Sequence, residues 1–506
     1  MISFVLPVFQ KRLPVFKRSV DSLLDQSYKD YEIILSFDGP DPVLEAYADE
    51  LVSKYPQKVK KIVNEHGGAC KARNAGFEAS KGDIVSFWDC DSVAEPEMAQ
   101  VWTMFFEAPD CDFVYGQYKW LDRDDLPGYD SEAHFDPWVL TRYNYLCSMW
   151  PIRREKVVKW DESLTGLQDW AFWREVVANG AKGYFNRGYG FATEFPDQGS
   201  ISGAGVEKKN ERIRAIRKKF NDPKRDILVL GYIHKPQAIR IAKLLDADYF
   251  HHTDYYKIDE YKLVISIGFN YQEMPAISSV FKNSSTGTKK AIYWTGMDCM
   301  ELACGPYAEV KKWKESIKES VHYNFCPDVA AQKILEDIGI QAEILPLPRN
   351  EGKLLDPVMP KEFKVLVFTD EKFDPFVNAL IAAMPDIKFE KLVPEKVFML
   401  EEYSCVIRLT GDGRLNDGDV NALIQGRYMI SNVQAPYAGY IDMSESVEKF
   451  INESMNRIYD FEKKTEINQA ARDHYYQETT PDHFKKAIEA LVEPSLPSHL
   501  SVVPNV

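Results

Sequence analysis

The first ninety residues alternate between short apolar runs and stretches whose apolar residues recur at helical spacing. Four runs rich in β-branched residues predict buried strands: 2–8, 31–37, 59–64 and 83–88. The stretches between them predict three helices: 13–26, 42–55 and 69–80. Alternation of strands and helices at this spacing predicts parallel strands joined by crossover helices, and therefore an α/β fold.

The pattern changes after residue 88. Irregular sequence is expected up to about Pro151, followed by helical patterns at 153–159 and 168–179. Residues 203–226 are polar and densely charged, which predicts a surface helix or linker at a domain boundary.

A second strand–helix alternation begins near residue 227. Its predicted strands are 227–230, 263–267, 291–294 and 342–345, and its predicted helices are 236–245 and 329–338. A segment at 346–352 with two prolines predicts another linker. A third unit has predicted strands at 364–369 and 404–409 and three amphipathic helices between Ser444 and Val492.

These patterns divide the chain into five parts. We predict a first domain over 1–205, a charged linker or helix over 206–225, two Rossmann-like domains over 226–346 and 363–492, and a loose tail over 493–506. A chain of 506 residues is too long for one ordinary core, which agrees with several domains.

Composition narrows the class of protein. The net charge of −15 argues against a protein that grips nucleic-acid phosphates over a broad basic face. The eight cysteines show no zinc-ligand spacing and are typical of the reduced thiols of a cytoplasmic protein. No signal peptide or membrane span is apparent, so we expect any contact with a membrane to be peripheral.

The sharpest chemical signal stands at the end of the fourth predicted strand. Asp89 and Asp91 are separated by one residue, so both carboxylates can reach one divalent cation. Mg²⁺ and Mn²⁺ accept oxygen ligands, and Mg²⁺ often combines one or two carboxylates with substrate phosphates. Two aspartates at this spacing also occur in ordinary solvated turns. The pair therefore indicates a metal site only if the neighbouring sequence motifs support one.

The surroundings resemble family 2 glycosyltransferases, which are inverting enzymes with nucleotide-sugar donors. Five segments carry the resemblance, in family order and at family-like spacing: 4–9 (FVLPVF), 36–39 (SFDG), 66–76 (HGGACKARNAG), 79–83 (ASKGD) and 87–91 (FWDCD). The resemblance covers about residues 1–205. It implies a GT-A fold, with a nucleotide-binding half and an acceptor-binding half.

The resemblance also implies roles for individual residues. Asp91 would bind the metal, and Asp89 would lie near both the metal and the donor ribose. The donor-binding residues that it implies are Pro7, Phe9, Asp38, Gly68, Arg73, Asn74 and Asp89. Asp38 would contact the nucleotide base, and the weaker candidate His66 would lie near the donor phosphates.

A general base is expected at the start of a helix in the acceptor half. The matching place is 168–169, where Gln168 stands for the glutamate of the family and Asp169 is the candidate base. The alternative is that Asp169 only caps its helix. Trp170 is a weaker candidate for stacking on a sugar, with core packing as its alternative, and Asp197 is a weak metal-site candidate with a loop turn as its alternative.

The last domain resembles the C-terminal half of GT-B glycosyltransferases over about residues 363–492. The segment 407–413 (IRLTGDG) includes the weaker candidate Arg408, and a helix follows it. Gly411 replaces a histidine of that pattern, and Asn421 replaces the glutamate that holds the donor ribose. The module is therefore expected to be a degenerate transferase that binds an acceptor or partner or is purely structural, although a second active transferase stays open.

Taken together, the sequence predicts a metal-dependent, inverting glycosyltransferase with a nucleotide-sugar donor, a UDP-sugar being favoured. A surface glycan is the expected acceptor. Two alternatives remain: a phage-type enzyme that glycosylates a hydroxylated DNA base, and a non-catalytic protein that binds carbohydrate or a partner.

Overall fold

The computed structural model describes most of the chain in fourteen stretches. These are 1–121, 135–194, 205–231, 233–250, 261–269, 277–278, 280–281, 287–295, 297–305, 307–348, 359–391, 400–411, 417–444 and 446–492. The described residues form two compact units, which divide between Lys224 and Arg225. The α/β class expected from the sequence is confirmed for both units.

The first unit is built around one eight-stranded sheet. Its strands are β1 (Ile2–Val8), β2 (Tyr31–Asp38), β3 (Val59–Asn64), β4 (Ile84–Phe87), β5 (Ser92–Ala94), β6 (Phe113–Trp120), β7 (Ile152–Arg153) and β8 (Gly183–Thr193). Its helices are α1 (Leu13–Leu24), α2 (Pro42–Lys54), α3 (Ala69–Ala79), α4 (Met98–Phe105), α5 (Pro137–Arg142), α6 (Gln168–Ala178) and α7 (Val206–Lys219). The strand order is β3-β2-β1-β4-β7-β6-β8-β5.

The first four strands run parallel, with β1 between β2 and β4. They and the helices between them agree with the predicted segments to within one or two residues. Strands β1 and β2 are buried along almost their whole length, as expected for parallel strands that helices cover on both faces. Helix α3 approaches the sheet closely at Gly76, where a Cβ atom would lie 2.4 Å from Val5 Cγ1.

Two sequence expectations for the middle of this unit are wrong. The stretch expected to be irregular up to Pro151 contains β5, α4, β6 and α5. The helix expected at 153–159 is instead β7 followed by one short 3₁₀ turn at Arg154–Lys156. The short strands lie at the mixed end of the sheet, where β7 pairs antiparallel with both β4 and β6. Partners distant in sequence determine such pairings, and a local apolar pattern does not reveal them.

Helix α7 lies in the region predicted to be a charged linker or surface helix, and it belongs to the first unit. Arg174 of α6 is buried and donates two hydrogen bonds to the Asp222 carboxylate, at 2.7 and 2.6 Å. Arg212 of α7 packs against Gly166, where a Cβ atom would lie 2.4 Å from the arginine Nε. These contacts anchor α7 and the residues after it beside the start of α6.

The second unit contains two parallel sheets. The six-stranded sheet has the order β10-β9-β11-β12-β13-β14, with β9 (Ile227–Leu230), β10 (Asp248–Phe250), β11 (Leu263–Ile267), β12 (Lys289–Tyr293), β13 (Tyr323–Cys326) and β14 (Glu343–Ile344). The described helices beside it are α8 (Lys235–Leu244), α9 (Met297–Cys304), α10 (Tyr307–Ser320) and α11 (Val329–Asp337).

The five-stranded sheet has the order β16-β15-β17-β18-β19. Its strands are β15 (Lys364–Thr369), β16 (Lys388–Lys391), β17 (Cys405–Leu409), β18 (Tyr428–Ser431) and β19 (Gly439–Tyr440). Its helices are α12 (Asp374–Ala383), α13 (Asp417–Ile424), α14 (Val447–Glu462), α15 (Gln469–Glu478) and α16 (Pro481–Ala490), of which the last three confirm the predicted amphipathic helices. Phe484 of α16 packs against Tyr293 of the six-stranded sheet.

In the part of the chain that the structure describes, no helix combines the length and the apolar character needed to cross a bilayer.

Candidate donor and catalytic site

The candidate site lies at the carboxyl ends of the parallel strands in the first unit. The chain runs from β1 to β2 and β3 on one side and then crosses to β4 on the other side of β1. Ligands of open α/β sheets bind outside the strand ends at such a reversal of strand order. The segments that follow β1 and β4 carry Phe9, Asp89 and Asp91, so the sequence motifs meet at this reversal. Pro7 is half-buried within β1, opposite Ser36 of β2.

Asp38 lies at the end of β2 and holds the loop before α3. Its buried carboxylate accepts hydrogen bonds from the backbone N–H of Gly67 at 2.7 Å and of Gly68 at 3.0 Å. His66 Nδ1 lies 3.1 Å from the same carboxylate, and its ring stacks on that of Phe9 with centroids 4.8 Å apart. Gly68 has a φ of 92°, a conformation that favours glycine. The contact of Asp38 with a nucleotide base stays a prediction.

Arg73 connects three elements at the site. Arg73 lies in α3, and its guanidinium donates a hydrogen bond to Oδ1 of Asp89, which follows β4, at 3.0 Å. It also donates to Oε1 of Gln168, at the start of α6, at 3.3 Å. The guanidinium also lies over the Trp160 ring, 4.5 Å from the ring centroid. The second Asp89 oxygen accepts a hydrogen bond from Ser148 at 3.2 Å. The donor motif and the candidate base segment are therefore joined through one buried cation.

Burial in the cleft raises the pKa of Asp89, and the neighbouring Asp91 carboxylate adds to that rise. Arg73 and the Ser148 hydroxyl oppose it, because both interact favourably with the ionised form. The carboxylate is thus held by one positive charge and one hydroxyl group.

Asn74 fastens α3 to the loop that precedes α6. Its side-chain nitrogen donates to Trp160 O at 3.0 Å and to Glu162 Oε1 at 2.8 Å, and its oxygen accepts from Trp160 N at 2.9 Å. Trp160 in turn stacks on Phe172 of α6, with centroids 4.3 Å apart. In this arrangement Asn74 positions the Trp160 ring beneath Arg73.

Asp169 lies in the first turn of α6 and is half-buried. Its carboxylate accepts a hydrogen bond from Trp170 N at 2.9 Å, and it is hydrogen-bonded to the Asn144 side chain. Burial raises the pKa of Asp169, while these two donors and Arg73 oppose the rise. The residue before the helix, Leu167, has a φ of 52°, a costly conformation for a branched residue. Strained backbone of this kind is enriched at functional sites.

Asp91 pairs with a cation of the chain itself. Lys11, in the loop after β1, makes an ion pair with Asp91 Oδ2. The two carboxylates of Asp89 and Asp91 offer oxygen ligands that suit Mg²⁺ or Mn²⁺, provided that the donor diphosphate and water supply the rest. Among the described residues no cluster of three or more His, Cys, Asp or Glu side chains is arranged to hold a metal ion. A metal at Asp91 would compete with the Lys11 ammonium for this carboxylate.

The weaker candidates occupy varied positions. Trp170 is buried, and its indole N–H donates to Leu140 O at 2.6 Å. This geometry agrees with the alternative that Trp170 packs in the core. Arg408, in the second unit, is buried and pairs with the buried Asp419 at 3.1 Å. Asp197 lies outside the described residues.

Sequence reasoning missed four residues that line or support this site: Lys11, Asn144, Ser148 and Trp160. None of them lies within a motif of the family pattern. Ser148 reaches Asp89 across 59 residues and Lys11 reaches Asp91 across 80, so only the folded chain brings them together. A local signal existed for Lys11 alone, which follows the Pro-Val-Phe turn after β1.

Residues 3–171 match the model of glycosyl transferase family 2. The first unit therefore carries a glycosyltransferase domain of that family, and the predicted GT-A-like class of its fold is confirmed. The second unit contributes two parallel α/β sheets, to which the family match does not extend.

Individual relatives agree with the family match. An uncharacterized glycosyltransferase of Methanocaldococcus jannaschii is 24% identical over 204 residues, which is 36% of this chain and 66% of that protein. The uncharacterized glycosyltransferase EpsJ of Bacillus subtilis is 34% identical over 121 residues, which is 24% of this chain and 34% of that protein. These matches span two thirds or less of the relatives' own length.

Solved structures are also similar in part. The crystal structure of residues 1–349 of S. aureus TarS, in complex with UDP-GlcNAc, matches 55% of this chain and 79% of that chain. The match has 16% identity and a TM-score of 0.38.

Proposed function

We propose that the first unit transfers a sugar from a nucleotide-sugar donor to an acceptor hydroxyl, with inversion at the anomeric carbon and with a divalent metal. The family match carries this proposal, because it covers the segments that supply Asp38, Asp89, Asp91 and Asp169. The ion network that joins these segments supports it.

The donor would lie across the reversal of strand order. The exposed Phe9 ring, stacked on His66, offers an apolar surface beside the end of β1 for part of the nucleotide. The diphosphate would lie toward Asp89 and Asp91, where Arg73 already supplies a buried positive charge. A UDP-sugar is the first donor to test.

A divalent metal on Asp91 and Asp89 would stabilise the negative charge that develops on the diphosphate leaving group. The chain's own contribution is to present these two carboxylates at the end of β4, with Asp89 oriented by Arg73 and Ser148. Such preorganisation removes the need to reorient charged groups as the reaction proceeds.

Asp169 would act as the general base. The acceptor oxygen forms a bond to the anomeric carbon, the bond from that carbon to the diphosphate oxygen breaks, and the hydroxyl proton passes to the Asp169 carboxylate. One nucleoside diphosphate leaves with the electron pair of the broken bond. Inversion follows because attack and departure occur on opposite faces of the sugar. The raised pKa of Asp169 suits a group that must accept a proton.

The acceptor that we propose is a hydroxyl of a surface glycan. The chain's net charge of −15 disfavours broad binding to nucleic-acid phosphates. A hydroxylated DNA base is therefore the second candidate acceptor.

We propose that the second unit does not transfer sugar by itself. It resembles a GT-B module in which Asn421 replaces the acidic residue for the ribose and Gly411 replaces a histidine. A charged acceptor forms hydrogen bonds about twice as strong as a neutral one, so a ribose would be held less firmly. Arg408 is already paired with Asp419 inside the fold. The unit would instead bind the acceptor or a partner.

The test is a screen of nucleotide-sugars for hydrolysis and transfer by the full chain, with Mn²⁺ and with excess chelator. We expect activity with metal only. Asp91→Ala should abolish it, and Asp169→Asn should lower turnover by about 10²–10⁴-fold while donor binding persists.

The matched control is Asp30→Asn, an exposed aspartate just before the amino end of β2, away from the carboxyl ends of the strands, which should leave turnover unchanged. Full activity in chelator would refute the metal role, and a loss of donor binding in Asp169→Asn would move that residue to the donor site. Transfer that survives in the Asp91→Ala, Asp169→Asn double variant would have to come from the second unit.

A further inference from the structure

The loop between β1 and α1 places a lysine at the reversal of strand order. Gln10 in this loop has a φ of 45°, which is uncommon for a residue with a side chain. The next residue, Lys11, extends to Asp91 and pairs with its Oδ2 atom. The side chains of Lys11 and Asp91 are only 36% and 23% exposed, so the pair is partly shielded from water.

Each of the two carboxylates that follow β4 is therefore paired with one cation. Arg73 pairs with Asp89, and Lys11 pairs with Asp91. The Lys11 ammonium therefore lies against the carboxylate that a metal would bind.

The two cations differ in their freedom to move. Arg73 is 8% exposed and is fixed by Gln168 and the Trp160 ring as well as by Asp89. Among the described residues, the Lys11 ammonium donates a hydrogen bond to Asp91 alone, and its four-carbon stem is flexible. A metal that binds Asp91 competes with the ammonium, because each positive group weakens the attraction of the carboxylate for the other.

We propose that Lys11 is a donor-binding residue that holds Asp91 in the donor-free enzyme and moves to the donor diphosphate when metal and nucleotide bind. The diphosphate binds beside Asp91, and its negative charge provides a new partner for the displaced ammonium. The inference rests on the function proposed above, since it requires a nucleoside diphosphate at this edge of the sheet.

The test compares Lys11→Met, which removes the charge and keeps an unbranched side chain, with the control Lys54→Met. Lys54 is an exposed lysine at the end of α2, so the control has the same net charge. Mn²⁺ binding to the nucleotide-free protein is measured by electron paramagnetic resonance. Binding of UDP, GDP, ADP and CDP at saturating Mn²⁺ is measured by calorimetry.

We expect Lys11→Met to bind Mn²⁺ alone about 2–5-fold more tightly, because a partly exposed ion pair no longer competes for Asp91. We expect its affinity for the preferred nucleoside diphosphate to fall about 10-fold or more, because a charge-assisted hydrogen bond is lost. Lys11→Arg, which keeps the charge, should recover most of that affinity. Lys54→Met should match the wild type in both measurements.

Unchanged diphosphate affinity in Lys11→Met overturns the inference, whether or not Mn²⁺ binds more tightly, because Lys11 is then only a counter-ion. Failure of Lys11→Arg to restore affinity also overturns it, since the positive charge would not be the cause. If the wild type binds none of the four diphosphates, the proposed function itself fails. If the wild type binds one and Lys11→Met binds it equally, only the Lys11 inference fails.

Discussion

Replacing Arg73 by methionine should destabilise the first unit measurably, because this side chain joins α3, the end of β4 and the start of α6. The substitution removes the hydrogen bonds to Asp89 and Gln168 and the contact over the Trp160 ring. It keeps an unbranched apolar stem of similar reach, so the effect isolates the guanidinium group.

The magnitude follows from these contacts. A hydrogen bond between charged groups contributes about 1.5–3 kcal/mol. A cation over an aromatic ring adds about 0.5–1 kcal/mol at an exposed site. The Asp89 side chain is 37% exposed, so water screens its interaction with Arg73. We therefore expect the free energy of unfolding to fall by an amount near the lower end of these ranges, about 2 kcal/mol. For a unit of this size, that loss corresponds to a fall in melting temperature of about 4–8 °C.

The assay is thermal unfolding of the full chain followed by tryptophan fluorescence. Eight of the ten tryptophans lie in residues 1–224, so the signal reports mainly on the first unit. Arg12→Met is the matched control: Arg12 is 80% exposed and has one distant ion-pair partner, so its loss should cost less than about 0.5 kcal/mol. Equal melting temperatures for the two variants would refute the view that Arg73 joins the elements of the site.

Three further predictions concern the packing and the chemistry of the same unit. Gly76→Ala should cost about 1–3 kcal/mol in the same melting assay, because the added methyl group has no room against β1; an unchanged melting temperature would show that α3 can shift. Asp222→Ala should cost about 3–5 kcal/mol by leaving the buried Arg174 unpaired, and a loss below about 1 kcal/mol would contradict the tight anchoring of α7. The rate of transfer should fall as the pH drops through the raised pKa of Asp169, so the acid limb of the pH–rate profile should lie above the ordinary aspartate range. The Asn144 hydrogen bond opposes the rise in the pKa of Asp169, so Asn144→Ala should move the acid limb to still higher pH. An acid limb that does not move would show that it does not report the titration of Asp169.

The amino-acid sequence was enough to predict the parallel core of the first unit and to single out the candidate donor motifs. Strands β1 to β4 have local apolar patterns, and the Gly68 turn and the Asp89–Asp91 pair are contiguous features that need no partner to be recognised. Local pattern also predicted the three C-terminal helices, because amphipathic spacing is repeated within each segment.

The contacts between the motifs became visible only in the folded chain. Arg73 meets Gln168 across 95 residues, and Asn74 meets Trp160 across 86. The pairing of Lys11 with the predicted metal ligand Asp91 also depends on the loop after β1 folding over the end of β4. Short strands such as β5 and β7 are fixed by their partners in the sheet, so their own few residues carry little signal. Contacts between segments distant along the chain leave no local periodicity, which is why the sequence revealed the components of the site and only the folded chain revealed their connections.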